Sequence, residues 1–377
     1  MSAWPGKYVI GLTGNIATGK SVVRKMLEHL GAYGIDADAL VHRAIAQDAP
    51  GYKPVVEMFG RWILRSDGQI DRPKLGRVVF ADPEALHLLE NIVHPLVRQA
   101  VNVLCRRATQ KVVVIEAILL LEGPLRAACD SIWVTYAPID VQLNRLTKKR
   151  AMNEATAFQR LTAQSSHDEK RTAAQVVINC DGSFEDTWRQ VVAAWQELFP
   201  DTNMSPVVSV SKTKGEMVVE HARPRQANEI AGFINQIQKK QPLLTQHDIM
   251  VAFGEKAFLL LRKEGKLVGL MGWQVENLVA RTPDVYLEPG LPVGEAMQVL
   301  LDEVERASRE LQCEVLLLFL PPHLASHEQV WRAQHYEPRA IAHLGVRAWQ
   351  EAATESMPAG TVLLFKQLRK DRVLRPV

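Results

Sequence analysis

Residues 14–21 read Gly14-Asn15-Ile16-Ala17-Thr18-Gly19-Lys20-Ser21, a G-x-x-x-x-G-K-S spacing in which each position has a physical task. Glycines at both ends let the backbone curl so that successive N–H groups converge on a phosphate. Lys20 is placed to reach β and γ oxygens, and the Ser21 hydroxyl to take one place on Mg²⁺. These eight residues are the candidate ATP-binding loop. A second constellation is Ile35-Asp36-Ala37-Asp38. On an extended segment its two carboxylates point to one side, where one of them near the γ-phosphate could accept a proton from an attacking hydroxyl. The same stretch also suits a helix start, because an Asp before Ala-Leu-Val is a good N-cap. Spacing alone leaves both readings open.

A phosphate loop works only between a strand and a helix, whose N-terminus adds the positive end of its dipole. Residues 8–13 (YVIGLT) predict the strand, and 21–30 predict the helix, with apolar Val22, Val23, Met26, Leu27 and Leu30. Further β-rich runs lie at 112–115, 131–136 and 176–179, with amphipathic segments between them. This alternation predicts an α/β fold with a parallel sheet covered by helices on both faces. Ligands of such folds sit at the carboxyl ends of the strands.

The 377 residues suggest two domains, and the Pro/Asn/Ser/Thr-rich stretch after an amphipathic helix at 184–198 supplies a linker. The expected division is 1–204, a linker at 205–214, and 215–377. A hydrophobic fraction of 47% and a charged fraction of 23% are ordinary for a globular chain, and a net charge of +3 argues against a nucleic-acid partner. Cys105, Cys129, Cys180 and Cys313 are scattered without a C-x-x-C pair, so neither a disulfide framework nor a zinc site is expected. The first residues lack the apolar core of a signal peptide, and the apolar run 112–121 is short and broken by Glu116. No membrane partner and a cytoplasmic location are expected.

The first half resembles the dephospho-coenzyme A kinase family over about residues 7–199. The family's opening Gly-Leu-Thr-Gly-x-Ile-x-x-Gly-Lys-Ser is supplied by 11–21, and its Ile-Asp-Ala-Asp by 35–38. Asp67-Gly68-Gln69-Ile70-Asp71-Arg72-Pro73-Lys74-Leu75, then Val79-Phe80, mirrors a further motif. So do Leu89-Glu90-Asn91-Ile92-Val93-His94-Pro95-Leu96-Val97-Arg98 and Gln142-Leu143-Asn144-Arg145-Leu146. Arg160, Gln164, Lys170 and 177–179 close the pattern.

The resemblance implies ATP and dephospho-coenzyme A as ligands, Mg²⁺ as cofactor, and γ-phosphoryl transfer to the ribose 3′-hydroxyl. It implies Asp38, Lys20 and Arg145 as catalytic residues. Arg145 and Arg150 would join the loop on the ATP side, at the start of a lid running to about Lys170. Asp38, Arg72, His94, Arg98, Glu122 and Arg160 would line the acceptor, and Ser21 and Glu116 would serve the metal. His94 precedes a proline, which biases it toward an extended conformation. Arg98, a helical turn on, can pair with a phosphate. The chain departs from the family at Asn15 and Ala17, commonly glycine there, whose side chains are expected to point outward. It also reads Ile118-Leu119-Leu120-Leu121-Glu122 in place of Pro-Leu-Leu-Phe-Glu, and Lys149-Arg150 in place of Arg-Asp.

From about 215 to 370 the pattern resembles the GNAT acetyltransferase superfamily. A strand at 216–221 and a helix at 225–238 precede a hairpin at 257–273 and a strand at 284–288. A helix at 294–311, a strand at 314–320, a short helix near Val330, and strands at 340–346 and 361–368 follow. The resemblance makes acyl-CoA a candidate ligand of this half. Its pyrophosphate loop is replaced by Pro289-Gly290-Leu291-Pro292-Val293-Gly294-Glu295-Ala296. There Pro292 has no N–H to offer and Glu295 brings a negative charge. Tyr336 and His343 are acid–base candidates that also fit a core. Besides a kinase carrying a GNAT-like domain, the sequence leaves open a coenzyme A-responsive regulatory or binding protein and a bifunctional kinase/N-acyltransferase.

Overall fold

The computed structural model describes residues 3–79, 81–149, 152–162, 164, 167–200, 211–212, 217–238, 241–371 and 373–374. Phe80, Arg150, Glu216 and the expected linker, apart from Ser211 and Lys212, lie outside them. Among the described residues no helix is long and apolar enough to cross a membrane.

The first half runs β1 (Tyr8–Thr13), α1 (Lys20–His29), β2 (Tyr33–Asp36), α2 (Ala37–Ala44), α3 (Tyr52–Phe59), α4 (Arg72–Val79) and α5 (Pro83–Arg107). It continues through β3 (Val112–Glu116), β4 (Ser131–Tyr136), α6 (Ile139–Lys149), α7 (Glu154–Thr162), α8 (His167–Thr172), β5 (Val176–Asn179) and α9 (Phe184–Leu198). The five strands form a parallel sheet in the order β2-β3-β1-β4-β5. Every residue of β3, Val-Val-Val-Ile-Glu, is buried, as a central parallel strand covered on both faces requires. Side chains alternate between the two faces. Ile10, Leu12, Val112 and Val114 pack with Val23, Met26 and Leu27 of α1 and Trp195 of α9. Val9, Val113 and Ile115 pack with Leu40 of α2 and Val97, Val101 and Leu104 of α5. In register, Glu116 pairs with both Leu12 and Asp36, so two carboxylates end adjacent strands beside the loop that leaves β1.

The second half contains β6 (Ser211–Lys212), β7 (Met217–His221), α10 (Ala227–Gln238), α11 (Gln246–Phe253), β8 (Ala257–Lys263), β9 (Lys266–Glu276) and β10 (Val279–Leu287). It ends with α12 (Val293–Glu310), β11 (Val315–Leu320), α13 (Pro322–Ala325), α14 (Glu328–Ala333), β12 (Glu337–Pro338), α15 (Arg347–Ser356) and β13 (Val362–Gln367). Its sheet has the order β12-β13-β11-β10-β9-β8-β7-β6 and is antiparallel except where Val279–Thr282 of β10 run parallel to Val315–Leu318 of β11. Helix α12 covers one face through Met297, Leu300, Leu301 and Val304, while α10 and α11 cover the other through Ile230, Ile234 and Phe253. This mixed sheet with its long helix follows the order of strands and helices expected for the second half up to β11.

Three expectations change here. The strand expected at 340–346 is instead a 3₁₀ turn, Ile341–His343, leading to Gly345 at φ 73° and then α15. The positive φ of Gly345 ends any extended run. Helix α11 was not anticipated, although its capping box, Thr245 with Asp248, is present in the sequence. His94 is helical, because α5 continues through Pro95 for 25 residues. Proline there forfeits one backbone hydrogen bond, but the buried stripe of Val93, Val97, Ala100 and Val101 holds the helix together.

Candidate active site

The loop between β1 and α1 curls through Gly14 at φ 148°, Ala17 at φ 61° and Gly19 at φ 106°. A side chain at position 14 would meet the Thr135 carbonyl oxygen at 2.6 Å, so only glycine fits. Thr18 donates to the Asn15 carbonyl at 2.8 Å and shares a 2.7 Å hydrogen bond with Thr135, tying the loop to β4. Helix α1 starts at Lys20 with neither a side-chain cap nor an acidic residue in its first turn. Its leading N–H groups and dipole therefore face the loop without an internal anion to compete. Lys20 is 8% exposed and donates to the Gly14 and Asn15 carbonyls at 2.9 and 3.0 Å. Its ammonium thus lies across the loop.

The outward placement expected for Asn15 is corrected, for it is 3% exposed and packs inward. Ala17 occupies the left-handed region, which costs a residue with a Cβ about 1 kcal/mol or more. Ile16 and Ala17 also meet the lid. The Ile16 N–H donates to Gln164 at 2.7 Å, and Arg145 of α6 donates to the Ala17 carbonyl at 3.0 Å and to the Cys180 carbonyl.

Beneath the loop lies a buried acidic group. Glu116 is 4% exposed, rather than standing at an open strand end. It accepts from the Ser21 hydroxyl at 2.8 Å and from Arg24 Nε at 2.7 Å, and Arg24 also pairs with Glu28 at 2.5 Å. Both readings of this stretch are corrected: Asp36 and Asp38 do not share an extended segment, and the Asp before Ala-Leu-Val, Asp38, is not the helix cap. Asp36 ends β2 and caps α2 by accepting from the Ala39 N–H at 2.8 Å, while Asp38 lies in the first turn of α2. The cap is Asp36 because β2 must end where its register with Glu116 ends. Burial, followed by repulsion from Glu116, pushes the Asp36 carboxyl up to about 6.

Asp38 accepts from the Ile118 N–H at 3.0 Å. Burial pushes its carboxyl above the ordinary range, against the Ile118 N–H and the Lys20 and Lys170 charges. Lys170 of α8 is 1% exposed and donates to the Ile118 carbonyl at 2.9 Å. Burial pulls its ammonium down, opposed by Glu122 and Asp38. Lys20, Ser21, Asp38, Glu116 and Lys170 thus converge where β1 and β3 end. His94 and Arg98 on α5, Arg72 on α4, Glu122 after β3 and Arg160 on α7 are exposed and form no part of that group, of which Lys20, Glu116 and Lys170 are buried. Arg72 stands 3.9 Å from Glu351 of the second half.

Sequence reasoning gave no role to Arg24 and none to the buried ammonium of Lys170. Arg24 had a local signal: a cation between Val23 and Met26, on the inward stripe of α1, needs a buried partner. Lys170 had only its place in the closing motif, with no local sign of its partners, which are 48 residues or more away in sequence. For the metal, Ser21 and Glu116 offer oxygens that already meet at 2.8 Å. No group of three metal-ligating side chains occurs among the described residues. Mg²⁺ in a phosphate site needs only one or two protein oxygens besides phosphate and water, so these residues fit it.

In the second half, α12 begins with Pro292 in the cap position, without a side-chain cap, and with Glu295 in its first turn. Tyr336 is 1% exposed and donates to Glu305 at 2.9 Å. Its phenol is pushed well up by burial and by Glu305. His343 lies on the 3₁₀ turn.

Comparison with known proteins agrees with this geometry in the first half. The family model described as dephospho-CoA kinase matches residues 8–186. A dephospho-CoA kinase of Geobacter metallireducens is 45% identical over 192 residues, spanning 50% of this chain and 96% of the relative. The solved structure of TT1252 from Thermus thermophilus is 32% identical with a TM-score of 0.47, covering 51% of this chain and 98% of its own. An acetyltransferase of the GNAT family from Staphylococcus aureus matches 41% of this chain and 99% of its own, at 15% identity and a TM-score of 0.33. With its phosphate loop, parallel sheet and near-complete coverage of a close relative, the chain belongs to the dephospho-CoA kinase family through its N-terminal domain.

Proposed function

We propose that residues 1–204 transfer the γ-phosphoryl group of ATP to the ribose 3′-hydroxyl of dephospho-coenzyme A, giving coenzyme A and ADP. This is the last step of coenzyme A biosynthesis, performed in the cytoplasm. The link to the GNAT-like domain, 215–377, falls within 205–214, of which Ser211 and Lys212 already pair with β7 of the second sheet. The observation that carries the reading is the half-buried Asp38 carboxylate in the first turn of α2, held by the Ile118 N–H at 3.0 Å with Lys170 on the Ile118 carbonyl at 2.9 Å, at the mouth of the phosphate loop.

The loop N–H groups and the start of α1 bind the β- and γ-phosphates, and Lys20 turns from the loop carbonyls to their oxygens. Ser21 and Glu116 would hold Mg²⁺, which would supply neutralisation of charge on the phosphates. The acceptor hydroxyl oxygen forms a bond to the γ-phosphorus as the bond from that phosphorus to the bridging oxygen of ADP breaks. Asp38 takes the hydroxyl proton, and a carboxylate of raised pKa is a better match to that task at neutral pH. Arg145, already on the loop backbone, moves or extends to the phosphates, and Arg150, outside the described residues, is the second candidate cation of the ATP side. Arg72, His94, Arg98, Glu122 and Arg160 hold the acceptor at the exposed rim. Closure of the lid excludes water that would otherwise take the phosphoryl group.

The test is ADP release with dephospho-coenzyme A, adenosine and AMP as alternative acceptors. Dephospho-coenzyme A is expected to give the fastest release by a wide margin. If it released no more ADP than water alone, the assignment would be wrong.

A further inference from the structure

The relative from Geobacter metallireducens is covered over 96% of its length by half of this chain, so that enzyme has nothing corresponding to the second domain. The structure shows what the second domain does to the first. It grips both helices that carry the proposed chemistry.

Helix α2 bears Asp38 in its first turn and Arg43 in its last. Arg43 is 7% exposed, and its guanidinium leaves its own domain entirely: it donates to the Asn277 carbonyl at 2.6 Å and to Glu314 Oε1 at 2.7 Å. Glu314 is fully buried and held on all sides. Its other carboxylate oxygen accepts from Trp349 Nε1 at 3.3 Å, its N–H donates to the Leu278 carbonyl at 2.8 Å, and its own carbonyl accepts from the Leu368 and Arg369 N–H groups at 2.9 and 3.1 Å. Leu278 and Leu374 join the apolar cluster that contains Ile35, Ala37 and Leu40.

Helix α1, with Lys20 and Ser21 at its start, is held at its other end. Lys25 donates to the Val275 carbonyl at 2.8 Å, and His29 Nε2 lies 2.9 Å from the Phe253 carbonyl. Tyr33, at the start of β2, donates to the Leu311 carbonyl at 3.3 Å. Residues 275–278 thus touch α1 and α2 together.

We propose that the GNAT-like domain serves as a brace that sets the distance between the phosphate loop and Asp38. Arg43 and Glu314 are its positioning residues. The inference rests on the phosphoryl-transfer reading above. A buried carboxylate and guanidinium hold each other rigidly, whereas removing one charge leaves the other without its ionic partner in a dry interface. The strain then falls on α2, eight residues long, with Asp38 six residues from its end. A base displaced by about 1 Å loses rate on the order of 100-fold with little change in donor binding.

The full chain is assayed as wild type, Glu314→Gln, Arg43→Lys, Arg43→Met and the double variant Arg43→Met with Glu314→Gln. Glu314→Gln is expected to lower kcat tenfold or more, to leave KM for ATP within threefold, and to speed amide exchange across 37–44. Arg43→Lys, which keeps the charge, is expected to recover most of the rate lost in Arg43→Met, and the double variant to exceed Arg43→Met. Unchanged kcat in Glu314→Gln and Arg43→Met, with only a lowered unfolding midpoint, would overturn the proposal and leave the pair as a simple domain fastener. A wild-type chain that forms no coenzyme A would sink the kinase reading instead, which keeps the two failures apart.

Discussion

Replacing Asp38 by Asn separates catalysis from architecture. The Asp38 carboxylate accepts one backbone hydrogen bond, from Ile118 at 3.0 Å, and an amide oxygen can accept the same bond. The fold therefore has no reason to yield. Burial disfavours the ionised Asp38, so the neutral amide is expected to leave the unfolding midpoint at pH 7 unchanged or higher. What is lost is a proton acceptor, and positioned bases contribute about 10²–10⁴-fold. The predicted fall in kcat corresponds to roughly 3–5 kcal/mol of barrier. ATP binds through the loop and α1, so its KM is expected to move less than threefold. The wild-type kcat should fall as pH drops through the raised pKa of Asp38, because only the ionised form accepts a proton. That limb should vanish in the variant. The assay is steady-state ADP release over pH 5–8 at saturating acceptor, with thermal unfolding on the same samples. A parallel loss of ATP affinity and of unfolding midpoint would refute the reasoning and make Asp38 a structural residue.

Three further outcomes follow from the buried loop and its floor. Ala17→Gly relieves a left-handed backbone at φ 61° and is expected to raise stability by about 0.5–1 kcal/mol, read by denaturant unfolding of the first domain. A destabilised variant would show that the Ala17 methyl packs usefully. Arg24→Met leaves Glu116 and Glu28 without their shared guanidinium and is expected to cost about 3–5 kcal/mol, visible as a lower unfolding midpoint at pH 7. Asp36→Asn keeps an N-cap of equal quality. In the wild type, stability should decline from about pH 4 to about pH 6 as the unfolded chain ionises Asp36 before the folded one does, a loss on the order of 3 kcal/mol. A wild-type profile that rises through that window, or an Asp36→Asn profile with the same decline, would contradict the assignment.

What could be read from the sequence was whatever local spacing encodes. The strand, loop and helix at 8–30 follow from the glycine spacing and the apolar stripe, and the helix begins at Lys20, one residue before the expected start. The motif singles out Asp38, but its Asp before Ala-Leu-Val pointed to the wrong aspartate as the cap of α2, which is Asp36. That depends on where β2 stops pairing with Glu116, 80 residues downstream. The apolar content of 340–346 suggested a strand. The glycine at 345 and the Ala-rich stretch after it argued for a turn and helix, and the structure follows these weaker signals. Arg43 lies 271 residues from Glu314 and carries no local sign of its partner. Contacts of this kind make the domain interface, which is why the sequence left the second domain's role open.

The central claim is that the phosphoryl group lands on the ribose 3′-oxygen. The most direct measurement is phosphorus NMR of the product formed by the full chain from ATP and dephospho-coenzyme A. Transfer to the 3′-oxygen gives a new phosphomonoester resonance coupled to the ribose 3′ proton, formed in step with ADP. A product phosphorylated at another oxygen, or ADP accompanied only by inorganic phosphate, would contradict it.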